Sequence, residues 1–116
     1  MTRLTEYQYA ARLNSFKNGA GASGNLGVFD LLARAATVPG LNAVDLNYPD
    51  HVDGLEIKVL KGRLSDLGLT LNGLAMRYYS EPGFKLGAFT NPDPALRRTA
   101  IDQTKRGIDQ MLELGG

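Results

Sequence analysis

The sequence predicts an α/β protein with a parallel sheet, and three observations carry that reading. Short runs of strand character alternate with longer stretches of helical period. The strand runs begin near Ala10, Leu41 and Leu69, a recurrence of about 30 residues, the length of a βαβ unit. The punctuation also recurs: the units close on Pro39-Gly40-Leu41, Leu67-Gly68-Leu69 and Leu114-Gly115-Gly116.

The first strand is expected over residues 10–16 and is the weakest, because Arg12, Asn14 and Ser15 interrupt it. A helix over 26–37 follows, with Leu26, Phe29, Leu32, Ala33 and Ala36 spaced three and four apart. The second strand, 41–46, carries Ala43, Val44 and Leu46. The second helix, 52–67, carries Val52, Leu55, Val59, Leu60, Leu64 and Leu67. The third strand, 69–76, carries Leu69, Leu71, Leu74, Ala75 and Met76, each run being bounded by Gly, Pro or Asn. The third helix, 94–114, has the clearest stripe: Leu96, Ala100, Ile101, Thr104, Ile108, Met111 and Leu112. Asp93 suits its N-cap, Pro94 its first turn and Gly115 a left-handed stop. The loop at 80–92 is long for a strand-to-helix turn, which marks it as a functional candidate. A three-stranded parallel sheet leaves an edge unpaired and a face uncovered, so the chain is expected to be an incomplete piece of a larger α/β protein.

Composition bounds the function. One domain fits 116 residues, and 43% hydrophobic with 22% charged residues is ordinary for a globular protein. A net charge of +1 gives no electrostatic case for nucleic acid or an acidic membrane surface. The absence of Cys excludes disulfides, thiolate metal sites and thiol nucleophiles, and a single His excludes an imidazole-built zinc site. No run approaches the ~18 apolar residues of a membrane span, and the N-terminus lacks a signal-peptide core. A cytoplasmic location is the expectation.

Three constellations carry chemistry. Gly19-Ala20-Gly21-Ala22-Ser23-Gly24, with Asp45 at the next strand, matches dinucleotide-binding spacing. Against it, Asn14, Ser15, Lys17 and Asn18 break the strand that should run apolar into the first glycine; the other reading is a loop over a barrel mouth. Asn47-Tyr48-Pro49-Asp50-His51 lies at the exit of the second strand, where parallel α/β folds place their sites. There Asp50 would orient His51 and raise its basicity, giving a general base or proton shuttle; the alternative is that Asp50 or Asp53 caps the next helix and His51 sits exposed. The loop carrying Tyr78, Tyr79, Phe84 and Phe89 suits the wall of a small polar ligand with apolar faces, such as a sugar ring, or else packs on itself. Arg77, at the exit of the third strand, would neutralise a phosphate or carboxylate, or pair with Asp45 or Glu81. Arg97 and Arg98 read as a solvated helix face or a subunit contact.

The run Phe84-Lys85-x-Gly87-x-Phe89-Thr90, followed by Asp93 and Arg97-Arg98, resembles the xylose isomerase-like TIM-barrel superfamily where its third strand passes into its third helix. The resemblance continues to Glu113-Leu114-Gly115 and, more weakly, back to the first strand. It implies the first three βα units of a (β/α)8 TIM barrel, incomplete in this chain, spanning 1–116 without a second domain. The function it implies is the N-terminal segment of a metal-dependent sugar isomerase or epimerase, cytoplasmic, homo-oligomeric when complete and inactive without the rest of the barrel. Phe84 and Phe16 match aromatics that wall the sugar. Asp50 matches the acid that supports a ring-opening histidine, while Asn47 stands where that histidine falls; His51, four residues on, is its candidate replacement. This departure favours a relative acting on another sugar, or an epimerase or dehydratase, over a true xylose isomerase. A divalent cation (Mg, Mn, Co or Zn) is implied for the complete barrel, its ligands lying on later strands, and none for this chain alone. The competing expectations are a dinucleotide module through Gly19 to Gly24 and a non-enzymatic partial barrel that self-associates.

Overall fold

A computed structural model describes residues 7–17 and 27–115. The glycine run from Gly19 to Gly24 lies outside the described residues, as does the expected helical start at Leu26. The order of elements is strand, helix, strand, helix, strand, helix: β1 (Ala10–Arg12), α1 (Val28–Ala36), β2 (Ala43–Tyr48), α2 (Ile57–Asp66), β3 (Thr70–Met76) and α3 (Pro94–Glu113). The three strands form one parallel sheet in the spatial order β1-β2-β3. Sequence order and spatial order coincide, so among the described residues the strand order does not reverse. The arrangement is α/β and is compatible with successive units of a TIM barrel.

A single hydrophobic cluster fixes where the helices lie. Val44, Leu46 and Tyr48 of β2 and Leu71 of β3 meet Leu31, Leu32 and Ala35 of α1 and Leu60 and Leu64 of α2. Met111 and Leu114 bring the end of α3 into the same cluster. All three helices therefore cover one face of the sheet. On the other face of β2, Asp45 and Asn47 alternate with these apolar residues. A bulge keeps β3 in phase: Leu71 pairs with Val44, but Gly73, not Asn72, pairs with Asp45. The extra residue returns Leu74 opposite Leu46 and Met76 opposite Tyr48, and the Asn72 amide donates to Asp45 Oδ1 at 2.8 Å.

Several expected boundaries and faces shift. The first strand stops at Arg12, and Leu13–Phe16 winds into a 3-10 turn that buries Leu13. α2 begins at Ile57 rather than 52, because Pro49 carbonyl accepts from the N–H groups of Val52 and Asp53 in a tight turn and Gly54 then takes φ +78°. Val52 is buried from that turn and not from the helix. Glu56 is the N-cap of α2, so neither Asp50 nor Asp53 caps it. α1 buries Leu31, Leu32 and Ala35, one position off the expected stripe. The largest rotation is in α3, which buries Ala100, Gln103 and Gly107 while Ile101, Ile108 and Leu112 are exposed. A Cβ at Gly107 would lie 3.1 Å from Met76 Sδ and 3.5 Å from Tyr48 Cδ1, so the helix approaches the sheet on its smallest residues. The caps of α3 are as expected: Asp93 Oδ1 accepts from Ala95 N–H at 2.9 Å, and Gly115 takes φ +87°.

Candidate functional site

The carboxyl ends of the three strands converge on one cavity of about 300 Å³. Asn14 and Lys17 reach it from the turn after β1, Asn47, Asp50 and His51 from the exit of β2, and Arg77 from the exit of β3; Val28 and Leu31 of α1 add apolar surface. The geometry follows from parallel strands: every strand delivers its following loop to the same end of the sheet.

His51 is half-buried and held twice by Asn47. The backbone N–H of Asn47 donates to His51 Nδ1 at 2.8 Å, and the N–H of His51 donates to the Asn47 carbonyl at 2.9 Å. Nδ1 therefore carries a lone pair, and in the neutral ring the proton sits on Nε2. Burial of the ring, and next the positive charge of Lys17, push the His51 pKa below its ordinary 6.5. Asp50 pulls it upward as expected from sequence, but is outweighed, and Arg77 and Arg12 add to the downward push. The net effect corrects the expectation of a more basic histidine. At neutral pH, His51 is an uncharged imidazole offering an N–H donor.

Asn47 is 2% exposed, and its side-chain oxygen accepts from Arg12 Nη2 at 2.8 Å, tying β2 to β1. Arg77 pairs with Asp50 across 3.8 Å, not with Asp45 or Glu81, and its guanidinium stacks 4.6 Å from the Tyr79 ring centroid. Two buried polar atoms of cavity residues, Asn14 Oδ1 and Arg77 Nε, have no hydrogen-bond partner among the described residues.

The two aromatic candidates stand apart from this cluster. Phe16 packs at the edge of the core, its carbonyl accepting from Arg34 Nη1 at 3.0 Å. Phe84 is buried in the loop after β3, where Tyr78 lies 6.3 Å from it and 5.2 Å edge-on from Phe89. Neither Phe16 nor Phe84 lines the cavity. The loop is organised by Asn91, whose amide donates to the Gly87 carbonyl at 2.7 Å and whose Oδ1 accepts from Asp93 N–H at 2.9 Å. Arg97, read from sequence as a solvated residue, donates to the Asn91 carbonyl at 2.6 Å and clamps this loop to α3.

No protein-family model matches the chain. A stretch of 59 residues does find a counterpart. It is 36% identical to the xylose isomerase of Thermus thermophilus, and it covers 51% of this chain and 15% of that enzyme. The similarity reaches at most to the xylose isomerase-like family.

Sequence reasoning named Asn47, Asp50, His51 and Arg77 and missed Asn14 and Lys17. Their signal was present: polar residues interrupting the end of the first strand are what a strand exit lining a polar cavity requires. Among the described residues, no group of three or more His, Asp or Glu side chains could hold a metal ion. The residues described do not by themselves fit the divalent cation implied by the resemblance. No helix among the described residues is long and apolar enough to cross a membrane.

Proposed function

We propose that the chain supplies three βα units of a sugar isomerase- or epimerase-like barrel and that the cavity at its strand exits is part of the sugar site. The observation that carries this reading is the convergence of Asn14, Asn47, Asp50, His51 and Arg77 at the carboxyl ends of all three strands, the end at which barrel enzymes work. The partial similarity to a xylose isomerase supports the same substrate class.

In this reading His51 acts as a neutral donor. Its Nε2–H has no acceptor among the described residues and is proposed to hydrogen-bond a sugar oxygen, while Asn47 N–H fixes the tautomer through Nδ1. For His51 to act as a base at Nε2, the proton must shift to Nδ1 and the bond from Asn47 must break, so donation is the easier role. Asp50 stands beside the ring and holds Arg77 at the rim. The residues of this chain bind the sugar and orient its oxygens.

Saturation-transfer NMR on the chain with D-xylose, D-fructose and a reduced nicotinamide dinucleotide tests the reading. Saturable contact with a sugar that His51→Ala removes is the expected result. Contact with the dinucleotide and neither sugar overturns it in favour of the glycine-run module.

A further inference from the structure

The charge around the cavity defines its substrate more narrowly than the fold does. We propose that the ligand is an anionic sugar derivative, its carboxylate or phosphate ester held between Arg77 and Lys17. The proposal rests on the sugar reading for the rest of the molecule and adds the class of group at its end.

Arg77 is prepared for such a group. Its guanidinium carbon lies over the Tyr79 ring, 4.6 Å from the centroid, a cation–π contact that uses the face of the group and not its N–H donors. Its ion pair with Asp50, at 3.8 Å, is too long to be a hydrogen bond, and its Nε is buried without a partner among the described residues. An oxyanion takes two parallel N–H donors from one guanidinium, a match that a neutral hydroxyl cannot make. Lys17 supplies a second cation to the cavity from the turn after β1. The pKa of His51 is lowered first by burial of the ring and then by Lys17, with Arg77 and Arg12 adding to the push and Asp50 opposing it, so these cations lie close enough to act on the cavity. Asp50 and Asp53 also line the cavity; the former is committed to Arg77, and the latter is exposed at the rim. Asn14 Oδ1, buried and without a donor among the described residues, adds the acceptor that a sugar hydroxyl needs. The cavity thus pairs oxyanion donors with a hydroxyl acceptor, which is the pattern of a sugar acid or sugar phosphate.

The single histidine makes the test direct, because the ring of His51 gives one resolved Hε1 resonance. The full chain is titrated at fixed pH with D-xylose 5-phosphate, D-xylonate, D-xylose and inorganic phosphate, following that resonance. The expected result is saturable binding of at least one anionic sugar, about tenfold or more tighter than D-xylose, the factor expected for a charge-assisted hydrogen bond. Arg77→Gln and Lys17→Gln should each weaken the anionic sugar about tenfold and cost D-xylose less than the anionic sugar, closing the gap between the two ligands. Arg77→Lys, which keeps the charge without the planar fork, should fall between wild type and Arg77→Gln. D-Xylose binding as tightly as both anionic sugars overturns the oxyanion proposal and leaves the sugar reading standing. Inorganic phosphate binding as tightly as D-xylose 5-phosphate upholds the oxyanion site and overturns the sugar reading. No response to any of the four overturns the oxyanion proposal, and a variant that loses the dispersed spectrum is replaced by Arg77→Lys as the deciding comparison.

Discussion

His51 is where opposing influences can be weighed. An Asp immediately before a His suggests a strengthened base, and Asp50 does act in that sense. The ring is also half-buried and shares its surroundings with Lys17, Arg77 and Arg12, so the charged form loses. Spacing along the chain displayed the pair but not the desolvation, because burial depends on α1 and on the turn after β1. The shift has a consequence for stability. With the folded pKa below the unfolded value near 6.5, the unfolded chain binds the proton first as pH falls. Stability is therefore full above about pH 6.5, declines as pH drops from there to the lowered His51 pKa, and levels off below it. Urea unfolding at closely spaced pH values should show this decline, and His51→Asn should remove it. An unchanged slope in the variant would assign it to another group.

At the scale of elements, alternation and period revealed which segments are strands and helices but not which way α3 faces. Ile101, Ile108 and Leu112 form the most apolar line on that helix, yet they are exposed, and Ala100, Gln103 and Gly107 meet the sheet. Hydrophobicity alone favours the larger residues; steric room decides otherwise, because Met76 and Tyr48 already fill the space beside Gly107. The bulge in β3 was written in the slip from Leu69 and Leu71 to Leu74 and Met76, which breaks a period of two by one residue. Two helical glycines separate propensity from packing. Gly62 in α2 has nothing within 4 Å of an added Cβ, so Gly62→Ala should stabilise the fold by about 0.5–1 kcal/mol. Gly107→Val should destabilise it by about 1–3 kcal/mol, since the new side chain meets Met76 Sδ at 3.1 Å from its first carbon. Thermal melts of both variants check the pair, and a stabilised Gly107→Val would mean that α3 does not lie against Met76.

For the molecule as a whole, the parallel topology sets both the site and the gradient of stability across it. The βα rhythm and the strand-exit location of Asn47, Asp50 and His51 were legible because periodicity and turn residues are local. The contribution of Lys17 and Asn14 was not, because it requires β1 to lie beside β2. Within the sheet, β2 is central and nearly all buried, whereas β1 pairs over only Ala10, Ala11 and Arg12. Opening β1 exposes little apolar surface; opening β2 dismantles the cluster that joins all three helices. Native-state hydrogen exchange should therefore find the slowest amides within Ala43–Tyr48, exchanging only through global unfolding, and the amides of β1 exchanging through a smaller opening. Asn47 makes the measurement specific to the site, because its N–H donates to the His51 ring. His51→Ala should speed exchange at Asn47 while leaving Val44 and Leu46 slow. If Asn47 stays protected in that variant, the ring does not hold this N–H, and the neutral-donor role of His51 loses its structural basis. If β1 exchanges as slowly as β2, the cavity wall formed by Asn14 and Lys17 belongs to the rigid core and not to its edge.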